Sequence, residues 1–398
     1  MFIYTLVFLY LLYLIIKYDC TGKSPLLSRK ANTHLTIVEI VLILVVGLSY
    51  RVGTDALNYM EAFKGFPSFS TFSLNDLSNF EREPFWVLLN ITGRSTINDF
   101  SFVMMFCALI LNIPLFKLIR EECKYPFSVL LLYFLMGWLN VSFEMLRQTC
   151  ATGFVLWGCL SLLKGNRRAF LLRAWPAVFF HITGILLVLL IWAFSYIKIN
   201  KVSLFICTLI FFVGIIIKDS FEQFFTIFNM MSAEMGETYM DYINSSQYGL
   251  LERSFFGYLE NFCLNFFLPA TTLFYFYKKN YNTYFQRILM LYVVLLSLSS
   301  VLGIIYRMAA SLQWFYFIAM ATMLFEWMKS RKYKLLQIGV FVLLLYSVNN
   351  AINPILTGKY EDYAHNNRDV RYFPYTNAIT KEIVPERESS CLKMFHTN

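Results

Sequence analysis

Six side chains in this sequence stand where so apolar a chain has little reason to put charge or imidazole. Arg51 and Asp55 follow an apolar run in "GLSYRVGTDALNYMEAF", and Glu83 precedes a proline in "EREPFWVLLN". Arg147 opens "RQTCATGFVLWGCL", His181 lies between "VFF" and "ITGILLVLL", and Arg307 opens "RMAASLQWFYF". Guanidinium groups grip phosphoryl oxygens as two-pronged forks and stabilise a leaving group whose charge grows in the transition state. A carboxylate or imidazole takes the proton of an attacking hydroxyl. Gathered around one cavity, these residues would hold a diphosphate beside a general base. Neither G-x-x-x-x-G-K-[ST] nor G-x-G-x-x-G occurs, so a soluble nucleotide is not the implied donor.

Each residue also has a plainer reading. Arg51 and Asp55 are spaced i, i+4, so on a continuous helix they would form a self-neutralising pair at the membrane interface. Glu83 before Pro84 could cap the helix that follows. Arg147 is harder to explain away, because it stands at the positive end of a helix in the apolar interior and wants an anion. Ala151, Thr152 and Gly153 after it suit close helix packing or the approach of a lipid headgroup to the backbone. Arg307 repeats the arrangement. His181 could be a hydrogen-bonded structural residue or share a cavity with the arginines. Asp76, Glu81 and Arg82 read as solvated loop. His34, His365 and His396 fall in loops or the tail, and aromatic runs such as "FYFYKKNYNTYF" read as interfacial belt and core.

The elements that must position these groups follow from composition. The chain has 398 residues, 58% of them hydrophobic and 15% charged. Its mean hydropathy is +0.55. That is too little polar surface for a soluble globule, and the apolar runs are too long for barrel strands, so the expected fold is an all-α polytopic membrane protein. Spans are expected at 1–16, 33–49, 100–119, 125–140, 146–163, 201–217, 255–277, 288–304, 306–327 and 335–350, with one long apolar region from 169 to 197. The first has no basic n-region or cleavage site and reads as a retained helix.

Lys- and Arg-rich short loops at 17–30, 117–124, 164–168, 278–287 and 329–334 should face the cytoplasm. That parity makes 169–197 a hairpin of two short helices hinged near Pro176 and His181, with a single tilted span as the alternative. The total is 10 to 12 transmembrane helices, with both termini and every candidate residue at the outer side. We expect one transmembrane domain over 1–350, with external loops 50–99 and 218–254, and an external tail over 351–398. The net charge of +9 gathers in inter-helix loops, which argues against nucleic acid as a partner. Eight cysteines without C-x-x-C read as core packing, and no metal site or cofactor is expected.

The blocks "YRVGTDALNYMEAF", "EREPFWVLLN", "FEMLRQTCATGFVLWGCLSLLKG", "AFLLRAWPAVFFHITGILLVL", "IYRMAASLQWFYF" and "YFPYTNAI" occur in an order that resembles the EpsG-type polysaccharide polymerases, relatives of the Wzy polymerases. The resemblance spans residues 47 to 380. It implies a metal-independent membrane glycosyltransferase, distantly similar to the GT-C type, in O-antigen, capsule or exopolysaccharide assembly. An undecaprenyl-diphosphate-linked growing chain would be donated to a lipid-linked repeat unit at the outer face of the bacterial cytoplasmic membrane. The resemblance brings in membrane lipid and a chain-length regulator as partners. Carried over by position, it marks Arg51, Asp55, Glu83, Arg147, Gln148, His181 and Arg307. Arg51, Arg147, Gln148 and Arg307 would bind substrate or diphosphate. The catalytic set would be His181, Asp55 and Glu83, with His181 placed first as base. Two rivals stay open: an O-antigen ligase, with the same donor but a lipid A core acceptor, and a non-enzymatic flippase or transporter, whose charges would line a central path.

Overall fold

A computed structural model describes residues 2–21, 28–73, 82–216, 254–330, 334–357 and 368–392. Asp76, Glu81, His365, His396 and nearly all of loop 218–254 lie outside the described residues. The described residues are helical with no sheet, as the apolar periodicity requires in lipid, and their lone β-bridge joins Ser49 to Asn377. Four helices are long and apolar enough to cross a membrane: Phe2–Asp19, Arg29–Gly47, Ser101–Glu122 and Lys334–Asn353. Shorter apolar helices accompany them at Pro126–Met136, Ile182–Phe194, Lys201–Ile216 and Thr283–Leu298. The chain is therefore a multi-pass, all-α membrane protein.

Contacts divide it into two units, one of residues 1–188 with 348–398 and one of residues 189–347. The first unit begins with α1 (Phe2–Leu14), prolonged by a π turn to Asp19, and α2 (Arg29–Gly47), which Ser28 caps through Ala31 N. Two short helices follow, α3 (Thr54–Phe63) and α4 (Pro84–Thr96). Next come α5 (Ser101–Glu122), α6 (Pro126–Met136), α7 (Trp138–Phe143) and α8 (Leu146–Leu163). At 22 residues, α5 is about 33 Å long, enough to cross the hydrocarbon.

The core of this unit is the contact of α8 with α5. A Cβ added to Gly153 would lie 2.2 Å from the carbonyl oxygen of Ile110, so the two backbones touch where that glycine stands. The small residues after Arg147 thus serve helix packing. From Leu163 the chain turns through Asn166, whose side chain accepts from Ala169 N at 2.9 Å, into α9 (Arg167–Ala174). This helix runs back along α8, with Phe170 and Ala174 against Gly158. Pro176 lies in the 3-10 turn Trp175–Phe179 that follows, and the helix breaks at Phe180 and His181 before α10 (Ile182–Phe194) begins. Phe180 fixes the break by stacking on Phe154 at 5.6 Å. The 169–197 region is accordingly bent where the hairpin reading puts its hinge.

Contacts at the helix ends sort the charges of this unit. At one end Asp19 accepts from Ser128 N and Oγ, both at 2.7 Å, and Lys164 pairs with Glu121 at 2.8 Å. Lys17, Lys117, Arg120, Lys124, Arg167 and Arg168 belong to these turns. At the other end Tyr4 donates to Tyr372 O, Lys381 pairs with Asp99, and α8 starts at Arg147. The lysine-rich turns and Arg147 are thus at opposite ends of the same helices.

In the second unit, α11 (Lys201–Ile216) packs on α14 (Thr283–Leu298). Between them in sequence are α12 (Phe255–Asn261), a π turn Phe262–Phe267 and α13 (Leu268–Lys278). After α14 come α15 (Ile305–Ala310) and α16 (Gln313–Met328). Glu326 near the end of α16 accepts from Tyr275 and Tyr281, and Arg287 donates to the carbonyls of Ser195 and Ile197. α17 (Lys334–Thr357) leads out of this unit, and α18 (Arg368–Tyr372) and α19 (Pro385–Leu392) belong to the first.

Candidate functional site

Arg51 does not continue α2 into α3. The helix ends at Gly47, Arg51 takes the left-handed conformation with φ 56°, Gly53 follows with φ 90°, and α3 starts only at Thr54. The i, i+4 pairing of Arg51 with Asp55 expected on a continuous helix is therefore corrected. The guanidinium turns to Glu61, its Nη1 donating at 2.5 Å, and to Glu388 of α19, which receives both Nε and Nη2. Only 10% of the Arg51 side chain is exposed, so these carboxylates occupy the fork that the sequence reserves for phosphate.

Glu388 belongs to a segment that laces the end of the chain onto this bend. Tyr50 N donates to Thr376 O at 3.0 Å, Gly53 N to Arg371 O at 2.9 Å and Ala378 N to Leu48 O at 2.7 Å. Arg387, buried at 1% exposure, donates to Val370 O at 2.8 Å, to Arg51 O and Thr376 Oγ1 at 3.0 Å, and to Pro374 O. A buried guanidinium whose three nitrogens all reach oxygen is a structural clamp.

The bend delivers α3 to a carboxylate outside the predicted set. Glu144, just before α8, accepts from Thr54 N and Asp55 N, both at 3.0 Å, and so supplies the cap that Gly53, with no side chain, cannot give α3. Asp55 and Tyr59 then lie one turn apart on α3, close enough that the Asp55 charge acts on the phenol. Tyr59 packs edge-on against buried Trp86, ring centroids 5.0 Å apart.

Arg147 is where the elements meet. Its Nε donates to the Tyr59 hydroxyl at 2.9 Å and its Nη1 to Glu83 Oε2 at 2.6 Å. The other Glu83 oxygen accepts from Ile182 N, the first amide of α10, at 3.1 Å. Glu83 makes no side-chain cap to its own helix, which starts with Pro84; the capping expectation is corrected to a cap of α10. Burial works to raise the Glu83 carboxyl, but the charge of the Arg147 guanidinium beside it prevails and holds it below the usual glutamate value. Glu61 is likewise held low against its burial by Lys64 and Arg51.

His181, 8% exposed, adjoins this pair through Ile182. Its Nδ1 lies 2.7 Å from Thr183 Oγ1 and accepts from Thr183 N at 3.2 Å. A backbone N–H can only donate, so Nδ1 carries no proton and the ring hydrogen is on Nε2. Gln148 is buried beside Arg147. The first unit thus brings Asp55, Glu83, Arg147, Gln148 and His181 to one end, with Arg51 at the same end in its own carboxylate pair. Arg307 belongs to the second unit, half-buried on α15, its carbonyl accepting from Ser311 Oγ at 3.4 Å. Sequence reasoning missed Tyr59, Glu144, Arg387 and Glu388; the quoted blocks contain Tyr59 and Glu144, but neither stands out by charge in an apolar run.

These features define a class: a multi-pass helical membrane protein with arginine, carboxylate, phenol and imidazole gathered at one end of a helical unit. The model of the EpsG family matches residues 32–373, and the chain belongs to that family of Wzy-like polysaccharide polymerases. It is a polysaccharide-polymerase-like membrane protein whose substrates are, in general, lipid-linked saccharides. No curated protein and no solved structure matches the chain.

Proposed function

We propose that the chain polymerises undecaprenyl-diphosphate-linked oligosaccharide repeat units at the outer face of a bacterial cytoplasmic membrane. The observation that carries this reading is the Arg147 cluster at the end of the first unit opposite its lysine-rich turns, where the positive-inside rule puts the outer surface. Arg147 binds the diphosphate of the lipid-linked donor. A hydroxyl of the incoming unit attacks the donor's reducing-end sugar, the sugar–phosphate bond breaks, and undecaprenyl diphosphate leaves with the bonding electrons. The guanidinium meets the charge that grows on it, without a metal in the scheme.

For the base we place Asp55 ahead of His181. The Nδ1 of His181 is engaged by Thr183 N and Oγ1, which makes it a poor base. Both Glu83 oxygens are engaged, by Arg147 and Ile182 N. Asp55, its backbone N–H held by Glu144, stands one turn from Tyr59 on α3, beside the group that binds the diphosphate.

The test is complementation of a deletion strain, with surface polysaccharide resolved on a gel. A polymerase deletion leaves a single repeat unit, and Arg147→Ala and Asp55→Asn should fail to restore the ladder while remaining in the membrane. Loss of all surface sugar would indicate a ligase, and units trapped inside a flippase. Normal ladders from both variants would refute the assignment.

A further inference from the structure

The hydrogen bonds of Arg147 engage two of its three guanidinium nitrogens. Nε donates to the Tyr59 hydroxyl and Nη1 to Glu83, and among the described residues Nη2 meets no acceptor. Nε and Nη2 point along the same edge of the planar group, so whatever binds Nη2 lies beside the Tyr59 oxygen. That oxygen accepts from Arg147, which directs its own proton away from the guanidinium. Among the described residues no acceptor receives it. Accepting from a cation also strengthens the phenol as a donor.

We propose that Tyr59 and Arg147 form one composite anion site, in which the Tyr59 O–H and the Arg147 Nη2 donate together to a phosphoryl oxygen of the lipid-linked substrate. The inference rests on the diphosphate reading above and adds a binding residue to it. Three contacts pre-set the site. Trp86 holds the Tyr59 ring, Glu83 holds the far side of the guanidinium, and Glu144 holds the start of α3. As a diphosphate departs, the charge on its oxygen grows and the phenol's bond to it strengthens, so Tyr59 assists departure as well as binding.

The experiment uses the full chain in phosphatidylcholine nanodiscs, with inorganic pyrophosphate as the probe and calorimetric titration as the readout. Tyr59→Phe keeps the ring against Trp86 and removes only the hydroxyl. It should weaken pyrophosphate binding about tenfold to a hundredfold, the range for a hydrogen bond to a charged group, and Arg147→Ala should abolish it. Because the hydroxyl also receives Arg147 Nε, a second variant separates its two roles. 3-Fluorotyrosine at position 59, read at about pH 6 so that the phenol stays protonated, donates better and accepts worse. It should bind pyrophosphate more tightly than the wild type, whereas a residue acting only as the acceptor for Arg147 would bind it more weakly.

Unchanged binding in Tyr59→Phe alongside loss in Arg147→Ala would overturn the Tyr59 proposal and leave the diphosphate reading standing. Unchanged binding in Arg147→Ala would overturn both. Nanodiscs containing phosphatidylglycerol form the last arm. Undiminished pyrophosphate affinity in them fits a diphosphate site, whereas competition by the anionic headgroup would assign the pocket to bulk lipid and overturn the proposal.

Discussion

Replacing Glu83 should expose how much of the site depends on one carboxylate. It accepts from Arg147 at 2.6 Å and from Ile182 N at 3.1 Å, and the side chains of the ion pair are each 18% exposed. Glu83→Gln can still accept from Ile182 N, but it turns an amide N–H towards the guanidinium. The loss is that of a charged hydrogen bond, about 1.5–3 kcal/mol. Glu83→Ala removes both bonds and leaves a largely buried guanidinium with only Tyr59, so its penalty should reach about 3–4 kcal/mol, short of the full range for a wholly buried pair. At about 2–4 °C per kcal/mol for a body this size, Glu83→Gln should melt about 3–12 °C below the wild type, and Glu83→Ala lower still. The assay is thermal unfolding in detergent micelles followed by tryptophan fluorescence. The Arg147→Ala, Glu83→Ala double variant should be less destabilised than the sum of the two singles, because each single change already dissolves the pair. Two Glu83 variants melting with the wild type, or strict additivity in the double, would refute the view that this carboxylate ties α8 to α10.

Gly153→Val should destabilise the protein by about 1–3 kcal/mol, since even a Cβ meets Ile110 O at 2.2 Å and the α5 and α8 backbones must part; its melting temperature measures this. Glu61 and Glu83 are held below the ordinary glutamate value of about 4.3, so their stabilisation is full above that value and is lost as pH falls through their lower folded values. The melting temperature should therefore drop as the pH falls below about 4.3, and Glu61→Gln should flatten part of that drop.

The sequence made the fold class legible because backbone in lipid has few options, and runs such as "ALILNIPLF" admit no other element. It also made Arg147, Glu83 and His181 legible as expensive groups in apolar surroundings. Which carboxylate each arginine meets was not legible. Arg51 pairs with Glu388, 337 positions away, only because its left-handed backbone breaks the helix that would have aimed it at Asp55. Glu144 caps a helix that starts 90 residues earlier, a contact no local pattern announces. Arg387 stood in a tail to which the sequence assigned no role, yet it is the clamp that holds the Arg51 bend. A positive φ and a cross-chain clamp depend on tertiary context, and periodicity and charge parity carry neither.

The most direct measurement is a reconstituted reaction: the purified full chain in liposomes with lipid-linked repeat units, scoring glycan length and released undecaprenyl diphosphate together. The account predicts longer glycans with one undecaprenyl diphosphate freed per linkage, and neither product from Arg147→Ala. Elongation at the wild-type rate by Arg147→Ala, or chain growth without release of the lipid diphosphate, would contradict it.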